Sequence, residues 1–437
     1  MKKLLIISFL CFLQAYHTQA QDYDIAVAPK TEVEIFDDIV QKKIKGWKGY
    51  NATSKEERDV LLSKIDSLNL SSYQLLTRIP QQLKDCKNLK HLNLLHNSSI
   101  DWKSLKGIEI PSIYVAVENL NQIDTIYWKQ ITGIEVLHQK LEAIPDNIIQ
   151  QKQLTYLNLN HNQITVLHET IGALKNLKEL HLGHNQLSVL PETIGELKNL
   201  QILYLRRNQL ITLPSSIGKL KNLQILYLGY NQLSVLPASI GELKNLKELY
   251  LDYNQLSVLP ETIGELENLK ILNLMGGKLN ALPISIRGLK NLKELQLFQN
   301  QLNTLPEAIG ELKELRLLGL NSNQFTTLST SIGELKNLIS LGLGENKFIT
   351  LPMSVLELKS LQDLNLNGNQ LTTLPSSIGE LKDLKNLHLR KNKITSLFET
   401  IGELKKLQYL DLAENPISKE EIDKLKKILP HCEMWFQ

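Results

Sequence analysis

The sequence predicts an α/β solenoid whose short strands form one long parallel sheet, and two observations support this fold class. One asparagine recurs at steps of 23 residues from Asn162 to Asn254 and again from Asn300 to Asn415, and Gly277 fills the step between the two runs. Most of these asparagines follow a pair of leucines that are separated by a single residue. A chain that repeats at a fixed period grows by stacking units, so its 437 residues need not divide into several domains.

Each part of the repeated unit, LxxLxLxxNxLxxLPxxIGxLKN, has a structural reason. Alternate residues of a short strand face opposite sides, so both leucines of LxL point into the core. The asparagine stands where the chain leaves the strand, and its amide can satisfy backbone groups that would otherwise be buried unpaired. Proline then fixes φ as the chain crosses to the outer side. Because strands lie inside and looser segments outside, we expect a curved solenoid with the sheet on its concave face.

This unit resembles the leucine-rich repeat, and the resemblance covers the chain from about Ile65 to Asn415. It implies a horseshoe with short helical or irregular convex segments. We predict about sixteen repeats in a solenoid over residues 65–417, which is irregular at 98–130. The earliest repeats are degraded, and their LxL pairs are Leu68/Leu70, Leu92/Leu94, Val115/Val117 and Ile134/Val136.

The irregular segment is rich in aromatic residues, which either form a site or pack decayed repeats against each other. We prefer the packing interpretation. The residues concerned are Trp102, Tyr114, Tyr127 and Trp128.

Residues 1–20 are predicted to be a secretory signal peptide. Lys2 and Lys3 precede an apolar stretch from Leu4 to Leu13, and a small-residue cleavage site follows Ala20. The stretch is too short for a spanning helix, although an N-terminal membrane anchor is the alternative. We therefore expect a protein that is secreted or displayed at the cell surface, with no membrane span after the signal is removed.

A solenoid must cover its open ends, and helical caps are predicted over residues 21–64 and 418–437. Ser418 and Glu421 have the spacing of a capping box, and the segment HCEMWF that follows is expected to add a closing strand. Ser54 and Glu57 open a helix in the same way near the other end. Cys86 replaces a core leucine, so we predict a buried, inert thiol, with a reactive cysteine as the alternative.

The residues that alternate with the core leucines form columns on the exposed face of the sheet. Neighbouring strands lie about 4.8 Å apart, so tyrosines that recur in one column should form a ladder. Exposed tyrosine, isoleucine, methionine and phenylalanine have the composition of a protein-interface hot spot, and Arg206, Arg207, Glu248, Asp252 and Glu294 are expected to form its polar rim. The candidate partner-binding residues are Tyr204, Arg206, Arg207, Tyr227, Tyr230, Tyr250, Asp252, Tyr253, Met275 and Phe298.

The tyrosine ladders have a simpler alternative explanation, because copies from duplication also recur at 23 residues and aromatic pairs stabilise neighbouring strands. Beyond the tyrosines, Gly319, Gly342 and Gly344 are expected to leave bare sheet, where a partner backbone could approach closely.

A second column carries histidines, which are candidates for a zinc site or a pH sensor. Neither cysteine nor carboxylate completes a tetrahedral ligand set in the sequence pattern, and repeat copying also explains the run. We therefore predict no metal and no cofactor. The metal candidates are His138, His161, His181 and His184.

Charge and motifs exclude other classes of function. The chain has 49 Lys+Arg and 46 Asp+Glu, a formal net charge of +3, which does not indicate nucleic-acid binding. The sequence contains no GxSxG elbow, P-loop, HExxH, paired CxxC or dinucleotide fingerprint, so no enzyme is predicted.

Together, the LPxxIGxLKNL unit, the signal peptide and the ending LPHCEMWF resemble the secreted leucine-rich repeat proteins of spirochaetes and some other bacteria. The resemblance implies a protein-binding module, and in bacterial members it suggests contact with host cell-surface or matrix proteins. A self-associating structural envelope protein and a carbohydrate-binding protein are the alternatives. The oligomeric state stays open.

Overall fold

The structure, a computed structural model, describes residues 32–44, 48–71, 76–97, 99–108, 110–117 and 125–436. The predicted signal peptide and the beginning of the predicted N-terminal cap lie outside the described residues. The chain forms two compact units. The first comprises the chain up to Asp66 together with Arg78–Asn88 and Lys103–Ile108, and the second comprises Ser67–Thr77, Leu89–Trp102 and Glu109 onward.

The first unit contains the helices α1 (Glu32–Lys43) and α2 (Lys55–Leu62) and a 3-10 helix at Gln81–Asp85. Helix α2 begins after Ser54, whose side-chain oxygen accepts a hydrogen bond of 3.2 Å from the backbone N–H of Glu57. Phe36 of α1 is fully buried, and its ring meets that of Tyr50 edge-on with centroids 5.7 Å apart.

Cys86 lies in the core of the first unit with 4% of its surface exposed. Burial raises the pKa of its thiol to about 12, so the group stays protonated and unreactive at neutral pH. The prediction of a buried, inert thiol is confirmed. Both Cys86 and Cys432 are free cysteines.

The second unit contains a single parallel sheet of 17 strands. Each strand pairs with the next one along the chain, and paired core residues such as Leu226 and Leu249 are 23 positions apart. The strands are β1 (Ser67–Asn69), β2 (His91–Leu94), β3 (Ser112–Ala116), β4 (Ile131–Glu135), β5 (Tyr156–Asn158), β6 (Glu179–His181), β7 (Ile202–Tyr204), β8 (Ile225–Tyr227), β9 (Glu248–Tyr250), β10 (Ile271–Asn273), β11 (Glu294–Gln296), β12 (Leu317–Gly319), β13 (Ser340–Gly342), β14 (Asp363–Asn365), β15 (Asn386–His388), β16 (Tyr409–Asp411) and β17 (Glu433–Trp435).

The leucines of the LxL pairs form the core of this unit, as predicted. In the repeat that contains β8, Leu226 and Leu228 are both fully buried, whereas Ile225 and Tyr227 on either side of Leu226 are only half-buried. This alternation follows from the two-residue period of a strand and gives the sheet one buried face and one exposed face.

The recurring asparagine ties consecutive repeats together. Asn231 is 7% exposed, and its Nδ2 donates to the carbonyls of Leu205 and Leu228 at 3.0 and 2.9 Å. Its Oδ1 accepts from the N–H of Leu210 at 3.0 Å. The same pattern returns at each asparagine step, so one column of amides satisfies the backbone where the strands end.

After each asparagine step the chain crosses to the outer side and usually forms a short 3-10 helix. Pro237 has φ −66° and ψ 147°, which directs the chain into the helix Ala238–Glu242. The glycine of the IG motif permits close stacking, because a β-carbon on Gly218 would lie 2.6 Å from the carbonyl oxygen of Ser239 in the next repeat. The remaining 3-10 helices are Trp102–Leu105, Thr125–Gln130, Glu169–Ala173, Glu192–Glu196, Ser215–Lys219, Glu261–Glu265, Ile284–Gly288, Glu307–Glu311, Thr330–Glu334, Met353–Glu357, Ser376–Glu380 and Glu399–Glu403.

Charged side chains on the outer side are paired from one repeat to the next. A lysine contacts the glutamate 21 positions later, at N–O distances from 2.6 to 4.0 Å. Both partners are exposed, so each pair contributes little stability in water. The pairs are Lys221–Glu242, Lys244–Glu265, Lys290–Glu311, Lys313–Glu334, Lys336–Glu357, Lys359–Glu380 and Lys382–Glu403.

Two further α-helices belong to the second unit, α3 (Asp146–Ile149) and α4 (Lys419–Ile428). Helix α4 begins after Ser418, whose hydroxyl accepts from the N–H of Glu421 at 3.2 Å. The chain then adds strand β17 beside β16. No helix in the described part of the chain has the length and apolar character that crossing a membrane requires.

Candidate functional site

Strands β7, β8 and β9 bring three tyrosines together on the exposed face of the sheet. Tyr204, Tyr227 and Tyr250 are directly in register. The ring centroids of the first two are 5.0 Å apart, and those of the last two are 4.5 Å apart with nearly parallel planes at 12°. The rings therefore form a ladder of contacts across the strands, in which Tyr227 and Tyr250 are stacked and Tyr204 is tilted by 51° against Tyr227.

A second, shorter ladder lies where the strands end. The ring centroids of Tyr230 and Tyr253 are 4.4 Å apart. Both residues have positive φ, 55° and 52°, because the chain turns sharply at the position before the asparagine of each repeat. The backbone N–H of Tyr230 donates to the carbonyl of Asp252 at 2.7 Å, which anchors this turn to the next repeat.

The main ladder extends further than the sequence columns indicate. Tyr204 stacks on His181 at 5.8 Å, His181 contacts Tyr156 at 5.5 Å, and Tyr156 stacks on Tyr114 at 5.5 Å. Tyr114 reaches Tyr156 by lying over Gly133 of the intervening strand, where a β-carbon would lie 2.5 Å from the tyrosine ring. A continuous row of six aromatic rings thus runs across strands β3 to β9.

Tyr114 and Tyr156 therefore belong to the ring ladder of the candidate site, where the sequence pattern did not place them. The glycine at 133, between two aromatic positions of the same column, is the signal that could have joined them. The hydroxyl of Tyr114 also lies 2.9 Å from the Thr155 hydroxyl, so this ring is held by a polar contact as well as by stacking.

Asp252 is expected from the sequence to lie in the exposed polar rim, and this expectation is wrong. It is 1% exposed, and its carboxylate receives two hydrogen bonds from Nη1 of Arg206, at 2.8 and 3.1 Å. The pair spans two repeats because Gly229, on the strand between them, has no side chain: a β-carbon there would lie 2.7 Å from the same Nη1. Burial raises the pKa of Asp252, and the guanidinium of Arg206 partly offsets that effect.

The two arginines instead support the second tyrosine ladder. The guanidinium carbons of Arg206 and Arg207 lie 4.5 and 5.0 Å from the ring centroid of Tyr230. Cation–π contact of this kind fixes the ring orientation. Of the two arginines, only Arg207 is exposed, and Arg206 is half-buried beneath the surface.

Apolar and acidic side chains border the tyrosines. Ile202, Ile225, Ile271, Met275 and Phe298 are all half-buried. The first residues of strands β8 to β11 lie side by side in register, in the order Ile225, Glu248, Ile271 and Glu294.

One of these acidic side chains is bonded to the main ladder. The hydroxyl of Tyr250 donates to Glu248 Oε2 at 3.0 Å, and burial raises the pKa of that hydroxyl.

Comparison with known proteins identifies the repeat. A family model described as "Leucine rich repeat" matches residues 129–187, 152–210, 198–256, 221–280, 267–325 and 359–417, which together cover more than half of the chain. The chain belongs to the leucine-rich repeat family. No curated protein matches the sequence at a significant level.

Solved structures of leucine-rich repeat proteins resemble this one over most of its length. A leucine-rich repeat protein of Leptospira interrogans is 35% identical, with a TM-score of 0.66, and the match covers 88% of this chain and 98% of that one. The plant peptide hormone receptor RGFR1, solved in complex with RGF2, is 28% identical, with a TM-score of 0.53 and 80% and 63% coverage. An internalin of Listeria monocytogenes shares the fold at 24% identity, with a TM-score of 0.57 and 72% and 83% coverage.

The glycine positions of this leucine-rich repeat sheet are not bare, which corrects a further expectation. A β-carbon on Gly319 would collide with the side-chain amide of Gln296, and one on Gly342 would collide with the amide of Asn321. Polar side chains from neighbouring strands therefore lie across the glycines and cover the backbone there. Gly344 is likewise buried, with its N–H bonded to Asn321 Oδ1 at 2.6 Å.

The histidines at the turn position of consecutive leucine-rich repeats stack on one another. The ring centroids of His138 and His161 are 4.6 Å apart, and those of His161 and His184 are 4.0 Å apart. Burial lowers the pKa of both His161 and His184, the latter to about 4, so these rings are neutral at pH 7.

His181 lies in the other ladder, between Tyr156 and Tyr204. Among the residues that the structure describes, no group of three His, Cys, Asp or Glu side chains is placed to hold a metal ion.

Proposed function

We propose that this leucine-rich repeat protein is a non-enzymatic recognition module that binds a protein partner through the tyrosine ladders. The observation that carries the proposal is the row of ring contacts from Tyr204 through Tyr227 to Tyr250 on adjacent strands of a continuous sheet, with the last two rings stacked. Stacking fixes the rings before a partner arrives, so little side-chain entropy is lost on docking. Half-exposed tyrosines with apolar neighbours provide the aromatic anchors that dominate binding energy in protein interfaces.

The stacking also favours a protein over a carbohydrate. A sugar ring binds an aromatic side chain by lying on an open ring face. In the row from Tyr114 to Tyr250, three pairs are stacked and cover one another's faces: Tyr114–Tyr156, His181–Tyr204 and Tyr227–Tyr250. The ring edges of these half-buried side chains suit the apolar groups that a protein surface offers.

We further propose a location and a partner for this protein. We propose a secreted or surface-exposed protein of the spirochaete type, with 23-residue repeats, that meets a host surface or matrix protein on the concave sheet. The 35% identity to a Leptospira interrogans leucine-rich repeat protein supports the bacterial type. The plant receptor whose structure includes RGF2 supports ligand binding by a related solenoid. We also propose the division into a signal peptide (1–20), caps (21–64 and 418–437) and a solenoid (65–417).

To test the proposal, the chain without its signal peptide is immobilised as bait, and the capture of host surface proteins is measured. Tyr227→Ala combined with Tyr250→Ala removes the two most closely stacked rings of the main ladder and should reduce capture at least tenfold, because two aromatic anchors are lost. The matched control, His388→Ala with Tyr409→Ala, removes two contacting rings from the same face at β15 and β16. It should leave capture unchanged.

Two results would contradict the proposal. Equal capture by the wild type and the Tyr227/Tyr250 variant would exclude the ladders as the binding surface. Concentration-dependent mass in light scattering that disappears in the same variant would instead assign the ladders to self-association. Circular dichroism of each variant checks that the fold is retained.

A further inference from the structure

Two carboxylates lie on the exposed face beside the tyrosines and straddle one apolar residue. Glu248, Ile271 and Glu294 are consecutive in register on strands β9, β10 and β11. Adjacent parallel strands are about 4.8 Å apart, so the two glutamates start from positions about 10 Å from each other. Both side chains are half-buried, and Ile271 forms the floor between them.

These glutamates differ from the glutamates on the outer side. Seven outer glutamates, from Glu242 to Glu403, are exposed, and each contacts a lysine of an earlier repeat. Among the ion pairs that the described residues form, none includes Glu248 or Glu294. In the described part of the chain, these seven outer carboxylates thus have a cationic partner, whereas the two beside the tyrosines form no ion pair.

The nearby hydrogen bonds stabilise the carboxylate of Glu248 but not that of Glu294. The hydroxyl of Tyr250 donates to Glu248, which leaves Glu294 without that bond. Burial, together with the charge of Glu248, raises the pKa of Glu294. Lys247, adjacent in sequence, donates instead to Gln224 Oε1 at 2.8 Å. Half-buried carboxylates without a cationic partner lower the stability of the folded chain. Residues that lower stability in this way are typical of sites that bind a ligand.

We infer that the partner of the tyrosine ladders presents a basic segment, with a lysine or arginine side chain seated over Ile271 between Glu248 and Glu294. This inference rests on the proposed function and names the chemistry of the partner. The aliphatic stem of the incoming side chain covers Ile271, and its cationic head lies between the two carboxylates. Apolar residues of the same segment cover the ring edges of Tyr227 and Tyr250. Arg206 does not compete for these carboxylates, because it is held by Asp252.

The experiment uses random peptides displayed on phage, selected on the immobilised chain. Peptides that also bind the Tyr227→Ala/Tyr250→Ala variant are discarded. The remaining peptides should be enriched in lysine and arginine relative to the input library. Their affinity should fall about tenfold when Glu248→Gln and Glu294→Gln are combined, because a charge pair becomes a neutral contact. Glu242→Gln with Glu311→Gln, which neutralises two outer glutamates, is the matched control and should leave affinity unchanged.

A measurement of thermal stability distinguishes a binding role of the two glutamates from a purely structural role. Removing two unpaired, half-buried charges should leave the melting temperature of the Glu248/Glu294 variant equal to or above that of the wild type, while binding weakens. A lower melting temperature contradicts the inference, as does the absence of a basic excess or an undiminished affinity. If peptides need the tyrosines but not the glutamates, the inference fails and the proposed function stands. If no peptide depends on the tyrosines, both fail.

Discussion

Removing one asparagine from the ladder tests the physical account of the fold most directly. In Asn231→Ala the buried side-chain amide is lost. The N–H of Leu210 loses its acceptor at 3.0 Å, whereas the carbonyls of Leu205 and Leu228 each keep a second donor, from Asn208 and Asn254. The substitution therefore leaves one buried backbone group unpaired and weakens two others.

The magnitude follows from these bonds. A buried N–H without a partner costs about 1–3 kcal/mol, and loss of one of two bonds to a carbonyl costs about 0.5–1 kcal/mol. We therefore expect the free energy of unfolding to fall by about 3 kcal/mol. The control Gln232→Ala changes the next, exposed residue and should stay within about 0.5 kcal/mol of the wild type.

Urea denaturation measures the loss of stability, and hydrogen exchange of the Leu210 amide reports whether the loss is local. Both are needed because repeat arrays can unfold in steps. A loss below about 1 kcal/mol, or unchanged exchange protection at Leu210, would refute the assignment of the asparagine as the main support of the backbone here.

Three further predictions concern the repeats around the tyrosines. Gly277→Asn completes the amide ladder and restricts the unfolded chain, although its β-carbon would lie 2.7 Å from Oδ1 of Asn300, which must shift. In urea denaturation we therefore expect the free energy of unfolding to rise by no more than about 1 kcal/mol, and a lower stability would contradict the assignment of Gly277 to the asparagine step. Gly229→Ala should lower it by about 2–3 kcal/mol, since the new methyl group separates Arg206 from Asp252; an unchanged urea midpoint would show that the pair is dispensable. Stability should also decline as pH falls from about 6.5 to about 4, because burial lowers the pKa of His184 to about 4 and the unfolded chain takes up the proton first. His184→Gln should flatten that decline in thermal melts at each pH, and an identical pH profile would refute the role of this histidine.

Most of the fold could be predicted from the sequence because it depends on short-range periodicity. The alternation around Leu226 and Leu228, together with the return of the asparagine, defines the strands and their parallel register. Such features repeat in every unit, so a local error in one repeat does not change the prediction for the whole. The tyrosine columns could be predicted for the same reason: register alone places Tyr227 beside Tyr250.

The errors concern long side chains that reach from one repeat into another. Asp252 was expected on an exposed rim, and it is buried because Arg206, two repeats away, extends over Gly229 to meet it. Gly319 was expected to expose the backbone, and the amide of Gln296 from the neighbouring strand covers it. The residue types along one column of the sheet do not show in which direction a long side chain turns.

The sequence by itself determined the repeat, its period, the inward leucines, the asparagine ladder and the candidate tyrosines, since each depends on spacing along the chain. Only the tertiary structure decided which polar groups are paired. It pairs Arg206 with Asp252 and lays the ring of Tyr114 over Gly133 against Tyr156, and within the described ranges it forms no ion pair at Glu248 or Glu294. The physical reason is that pairing depends on side-chain reach and on competition between neighbours in space, and the period of the repeat specifies neither.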